Sequence, residues 1–316
     1  MNTDRAGLLV LAIALGACRA QPPGQAPAFA TATTIFGPVM GAEVIGGRAD
    51  AGEEILLLAG GTDLVRLSLA TRRFARVKLQ MPPGEDCWNL AQLPEGGLWT
   101  LKGRRTLAQI KDGAIAREVP LLEPHFGLFA VGNRLLFQRA DFTPPAPALL
   151  SGTPEDASRT PWSAIRTRVY PSLARASVAA LNMVTCGPSD AGERACWFPD
   201  EAAVSMVRDD GSTRRVLLSG LETVSPEVLL TSDNPQRPVR DAYVDTGGGI
   251  WILSSGPRPP GAADGPGGWL LARYRSDGAV EGLVRLSEAA RLILRVDARN
   301  VMLLMSSGVI GRVPRW

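Results

Sequence analysis

A single histidine and four cysteines among 316 residues leave no material for a His-rich or Cys-rich metal centre. Charge of one sign is also scarce: 34 Lys and Arg stand against 31 Asp and Glu, with no basic run of five or more. Nucleic-acid binding needs clustered cations, so that partner class is excluded. No apolar run approaches the roughly 20 residues of a membrane-spanning helix. Gly-x-Ser-x-Gly, phosphate-binding and dinucleotide-binding patterns are missing, and runs such as Gly247-Gly248-Gly249 lead into strands rather than helices. A sustained 3.6-residue hydrophobic period is missing too, which excludes a helical bundle. What is abundant is turn chemistry, with 34 Gly and 25 Pro in a chain that is 45% hydrophobic. Short Val- and Leu-rich runs punctuated by Gly, Asp and Pro predict an all-β protein.

The first segment reads as an address. Residues 6–17 (AGLLVLAIALGA) form an apolar stretch of about 18 Å as helix, too short for the roughly 30 Å hydrocarbon core. The stretch ends in Leu15-Gly16-Ala17-Cys18, which resembles the lipobox of bacterial lipoproteins. That resemblance implies cleavage after residue 17 and a diacylglycerol on the Cys18 thiol. It also implies an acyl chain such as palmitate on the new amino terminus. Two or more buried chains hold a protein stably at a membrane. Arg19 in place of Asp, by resemblance to enterobacterial sorting, implies the outer membrane, facing the periplasm. Residues 18–31 are Pro-, Ala- and Gln-rich and read as a tether, which leaves 32–316 as the folded domain.

Within that domain one unit repeats. Residues 106–121 (TLAQIKDGAIAREVPL), 204–218 (VSMVRDDGSTRRVLL) and 270–286 (LLARYRSDGAVEGLVRL) align around an Asp-Gly pair. Each reads as a hairpin whose two central positions take positive φ. Residues 63–79 are a fourth copy turning at Ala70-Thr71. An apolar strand, usually opened by Gly, precedes each unit: GEEILLLAG from 52, GGLWTLKG from 96, GNRLLFQR from 132, GERACWFPD from 192, GGGIWILSS from 247 and RNVMLLMSS from 299. Six units over about 285 residues give close to 48 each, the length of a four-stranded propeller blade. The Gly-Gly-Leu-Trp-Thr-Leu and Gly-Gly-Ile-Trp-Ile-Leu strands resemble six-bladed β-propellers of the NHL and SMP-30/gluconolactonase-like type. The expected fold is a six-bladed propeller of four-stranded antiparallel blades. The last unit lacks its outer strand, and the apolar segment 33–39 (TTIFGPV) is expected to supply it and close the ring.

Function is less legible. Segments 141–147, 220–238 and 254–267 are expected to gather on one face, together with the blade-to-blade connections. Residues that begin a first strand or end a second should ring the funnel there: Asp86, Trp88, Lys102, Arg104, His125, Arg139, Asp141, Asp200, Arg240 and Asp241. His125, as a base, would need Glu123 or Asp141 to orient it. Cys186 and Cys196 flank a nine-residue turn-rich loop and predict a hairpin disulfide in an oxidising compartment, leaving Cys87 as a buried thiol. The expected function is a lipid-anchored propeller that binds a protein or glycan partner through its loop-rich face, with no cofactor. The alternative is a metal-assisted hydrolase or lyase of the lactonase-like kind. The resemblance would then require a divalent cation held by a Glu, an Asn and an Asp, for which Glu43, Asn89 and Asp241 are the nearest residue types.

Overall fold

The computed structural model describes residues 28–316, apart from 41–44, 96, 140–145, 156–159, 162–164, 172, 232–236 and 256–267. The lipobox cysteine Cys18 lies outside the described residues. Six sheets, each built on four antiparallel strands, follow one another along the chain at residues 45–78, 87–120, 125–161, 185–217, 241–286 and 290–314, the last completed by 33–36. Each sheet is an antiparallel meander whose first strand lies nearest the axis. The chain is a six-bladed β-propeller.

Burial follows strand position and explains the sequence pattern. Second strands such as Glu54–Ala59 and Ile250–Ser255 are covered on both faces and read as continuous apolar runs. Outer strands such as Arg73–Lys78 and Ala114–Pro120 are exposed and carry the charges that discourage edge pairing. The described core divides into six clusters, each shared by two adjacent blades, so that blades one and six also meet. Trp99, Trp197 and Trp251 are buried in these interblade layers.

Strand Thr33–Phe36 pairs antiparallel with Ile310–Pro314 and completes blade six, as the unassigned apolar run predicts. Phe36, Val39 and Met40 then fill the layer between blades six and one. Ala28–Ala30, within the segment read as tether, add a fifth, parallel strand beside Val280–Leu286 in blade five.

Two expectations need correction. Of the three Asp-Gly turns, only Asp112-Gly113 has positive φ at both residues. At Asp210-Gly211 and Asp277-Gly278 only the glycine does. There Asp210 accepts from the Ser212 N–H at 2.7 Å and Asp277 from the Ala279 N–H at 3.0 Å. A longer turn whose last residue is a left-handed glycine satisfies the same hairpin. Two helices also form in blade-to-blade connections, Arg175–Leu181 and Pro226–Thr231. Both are too short to leave a period in the sequence. Neither is long and apolar enough to cross a membrane.

Candidate functional site

The first strands converge on an axial cavity of about 170 Å³, lined from all six blades. Close backbone approach shapes it. Gly47 sits so near Leu90 and Asn89 that a Cβ there would collide with their backbone. Across from it, the blade-two strand bulges between Trp88 and Ala91, with Asn89 at φ 60°. The Thr100 hydroxyl bonds to the Asn89 carbonyl at 2.8 Å and fixes the bulge, which places Asn89 on the cavity wall. In blade four the Cys186–Cys196 disulfide, Cα to Cα 4.0 Å, ties the first strand to the second, as the spacing predicts. Arg194 lies two residues before Cys196 and also lines the cavity.

Three charged side chains occupy this wall: Arg48, Arg194 and Asp241. Arg48 pairs with both oxygens of Asp241, Nη2 to Oδ1 at 2.6 Å, and donates to the Ala242 carbonyl at 3.3 Å. The backbone N–H of Ile293 donates to Asp241 at 2.6 Å. Burial pushes the Asp241 carboxyl up, and Arg48 and Ile293 oppose that push. Arg194 is different. Burial first, and repulsion from Arg48 second, bring its guanidinium down to about 10. Its buried Nε has no hydrogen-bond partner, and the buried Oδ1 of Asn89 has none either. The nearby carboxylates are engaged: Glu193 holds Arg208 and Arg214, and Asp190 accepts from the Tyr243 hydroxyl at 2.7 Å.

This donor set does not fit a divalent cation. Both Asp241 oxygens already face Arg48, a second guanidinium lies beside them, and Asn89 adds only a neutral oxygen. Glu43 lies outside the described residues. Among the described residues no group of three or more His, Cys, Asp or Glu side chains is placed to hold a metal.

Of the described residues expected to ring the funnel, Asp241 alone lines the cavity. Lys102 crosses its own blade instead, pairing with Glu118 on the outermost strand and with Glu85, each at 2.7 Å. His125 is 1% exposed and packs against Phe137, 5.2 Å between ring centroids, which suits a core residue better than a base. Glu123 sits 3.6 Å from Arg139. Asp86 is half-buried and its carbonyl accepts from the Gly103 N–H at 3.0 Å. Asp141 lies outside the described residues, as does most of 254–267.

Around the funnel mouth arginines lie on aromatic faces. Arg104 stacks on Trp88 and Phe126 at 5.0 and 4.4 Å, and Arg240 on Trp269 at 5.5 Å. Arg168 stacks on Phe198 at 4.2 Å while pairing with Asp200 and Glu201. Leu122, 88% exposed, with Val169, Met183 and Val228, projects from the blade-to-blade connections of this same face. Arg48, Arg168 and Arg194 escape sequence reasoning. The one signal for Arg194 is a cation in period-two phase with a buried disulfide cysteine.

No protein-family model matches the chain, and no curated protein matches it in sequence. Solved structures match the fold. A DUF4221-family member from Bacteroides vulgatus aligns with a TM-score of 0.58 at 9% identity, over 92% of this chain and 97% of that one. Regucalcin from Agrobacterium tumefaciens, a calcium-binding protein, aligns at 0.53 and 11% identity, over 90% and 95%. A Bacteroides thetaiotaomicron protein of unknown function aligns at 0.53 and 10% identity, over 90% and 74%. At such identities the likeness is one of fold, and a fold shared by enzymes and binders does not carry function.

Proposed function

We propose that this protein is a lipid-anchored binding propeller, held through Cys18 at the outer membrane and engaging a protein partner in the periplasm through its loop-bearing face. The observation that carries this reading is the composition of that face. Exposed Leu122, Val169, Met183 and Val228 lie among the aromatic-stacked Arg104, Arg168 and Arg240. Apolar side chains, aromatics and arginine together are the mixture that protein interfaces favour over the remaining surface. A glycan platform would expose the rings, whereas here the guanidiniums cover them. The lactonase-like alternative needs three oxygen donors for its cation, and among the described residues the cavity supplies Asn89 and an ion-paired Asp241.

A photo-crosslinking residue at Leu122 in living cells should trap one partner, and the same residue at Asp112 on the opposite face should not. Leu122→Glu with Arg104→Glu should abolish the adduct formed from Val169. Identical adducts from both faces would overturn the reading. For the anchor, Cys18→Ala should move the protein from the membrane pellet to the soluble periplasmic fraction, and a mutant that still pelleted would refute lipidation.

A further inference from the structure

We propose that the axial cavity is a binding site for a small organic monocarboxylate bearing a hydroxyl or amino group beside the carboxylate, gripped by Arg194 and Asn89. Arg194 is a charged donor whose buried Nε faces no acceptor, and Asn89 has a buried oxygen that faces no donor. Both residues line the same cavity of about 170 Å³. Buried polar groups without partners are uncommon in folded proteins, and a bound water, ion or ligand is one way to satisfy them.

The charge on the wall selects the ligand. Arg48 and Asp241 neutralise each other, which leaves the single positive charge of Arg194 to be balanced. A monoanion balances it, whereas a dianion would bury an excess negative charge. A carboxylate also matches the planar guanidinium fork. The remaining lining includes Leu90, Leu128, Phe129 and Leu292, which suits a short apolar substituent. A donor next to the carboxylate completes the set by reaching the Asn89 oxygen. The arrangement needs no metal and no covalent step, and it is independent of the partner face proposed above.

The test uses the full-length protein in detergent, with sodium lactate as the probe and calorimetric titration as the readout. Lactate should bind one per chain. Propionate, which lacks the hydroxyl, should bind at least tenfold more weakly, and lactamide, which lacks the charge, should not bind. Arg194→Met should reduce lactate affinity at least thirtyfold, and Asn89→Leu should bring lactate down to the level of propionate. Should Arg194→Met fail to fold, the lactate, propionate and lactamide series on the unmodified protein still decides. Absence of lactate binding, equal binding of lactamide, or equal competition by chloride and sulfate, which would mean an adventitious ion only, overturns the proposal. Equal affinity for propionate and lactate overturns the role of Asn89.

Discussion

Removing the segment that closes the ring should cost most of the stability of the domain. A chain that begins at residue 41 lacks Thr33–Phe36 and with it the Phe36, Val39 and Met40 side chains, each at most 4% exposed. Their burial contributes roughly 1.5–3 kcal/mol apiece, or about 5–9 kcal/mol together, against a total stability of roughly 5–15 kcal/mol. The cut also exposes the ladder edge of Ile310–Pro314 and removes the bond from the Val39 N–H to the Gly308 carbonyl, 3.0 Å. At roughly 2–4 °C per kcal/mol, the melting temperature should fall by about 10–30 °C, or the chain should aggregate. A chain that begins at residue 31 loses only the three-residue parallel strand on blade five and should melt within about 5 °C of one that begins at residue 28. Scanning calorimetry with circular dichroism compares the three. Phe36→Ala in the longer chain keeps the experiment informative if the shortest fails to fold, with an expected loss of about 3–5 kcal/mol. Equal melting of the chains that begin at 31 and 41 would refute the closure, and so would an unchanged Phe36→Ala.

Three further outcomes are expected. Replacing Cys186 and Cys196 together by Ser should destabilise by roughly 2–3 kcal/mol from loop entropy, measured by urea unfolding, while peptide mapping recovers Cys87 as a free thiol. Burial pushes the Cys87 thiol up to about 11, so the protonated form is favoured by the fold; stability should hold below about pH 9 and fall towards pH 11, a loss that Cys87→Ala removes. Burial alone raises the Asp245 carboxyl, but the Trp251 indole, the Gly249 N–H, Arg273 and Arg315 outweigh it and hold the group below its ordinary value. Its contribution is present above about pH 4 and is lost as pH falls further, so Asp245→Asn should melt lower at pH 7 and show a shallower acid transition, read by circular dichroism.

The six-fold repeat was readable because a blade is local. Each hairpin and each fully covered second strand is written in contiguous residues, as in Gly97–Lys102 or Ile250–Ser255, and their count yields the ring. The missing outer strand of the last unit and the spare apolar run at 33–39 were readable for the same reason, as were Cys186 and Cys196 across one turn. Turn type was less so, because Asp-Gly serves both two-residue and longer turns and the flanking strands decide between them.

The sequence by itself therefore determined the blades, their number and the way the ring shuts. Only the tertiary structure decided which charges meet at the axis. Arg48 and Asp241 are 193 positions apart, and no local pattern predicts that they pair. Position at a strand end was taken to place Lys102 at the funnel, yet Lys102 turns along its blade to Glu118. Strand position sets where a Cα stands relative to the axis, whereas the side chain goes to the nearest compensating charge or ring, which can lie in its own blade, as for Lys102, or in another, as for Arg48. The Arg194 Nε meets no acceptor among the described residues, and that environment exists only once all six blades have closed around it.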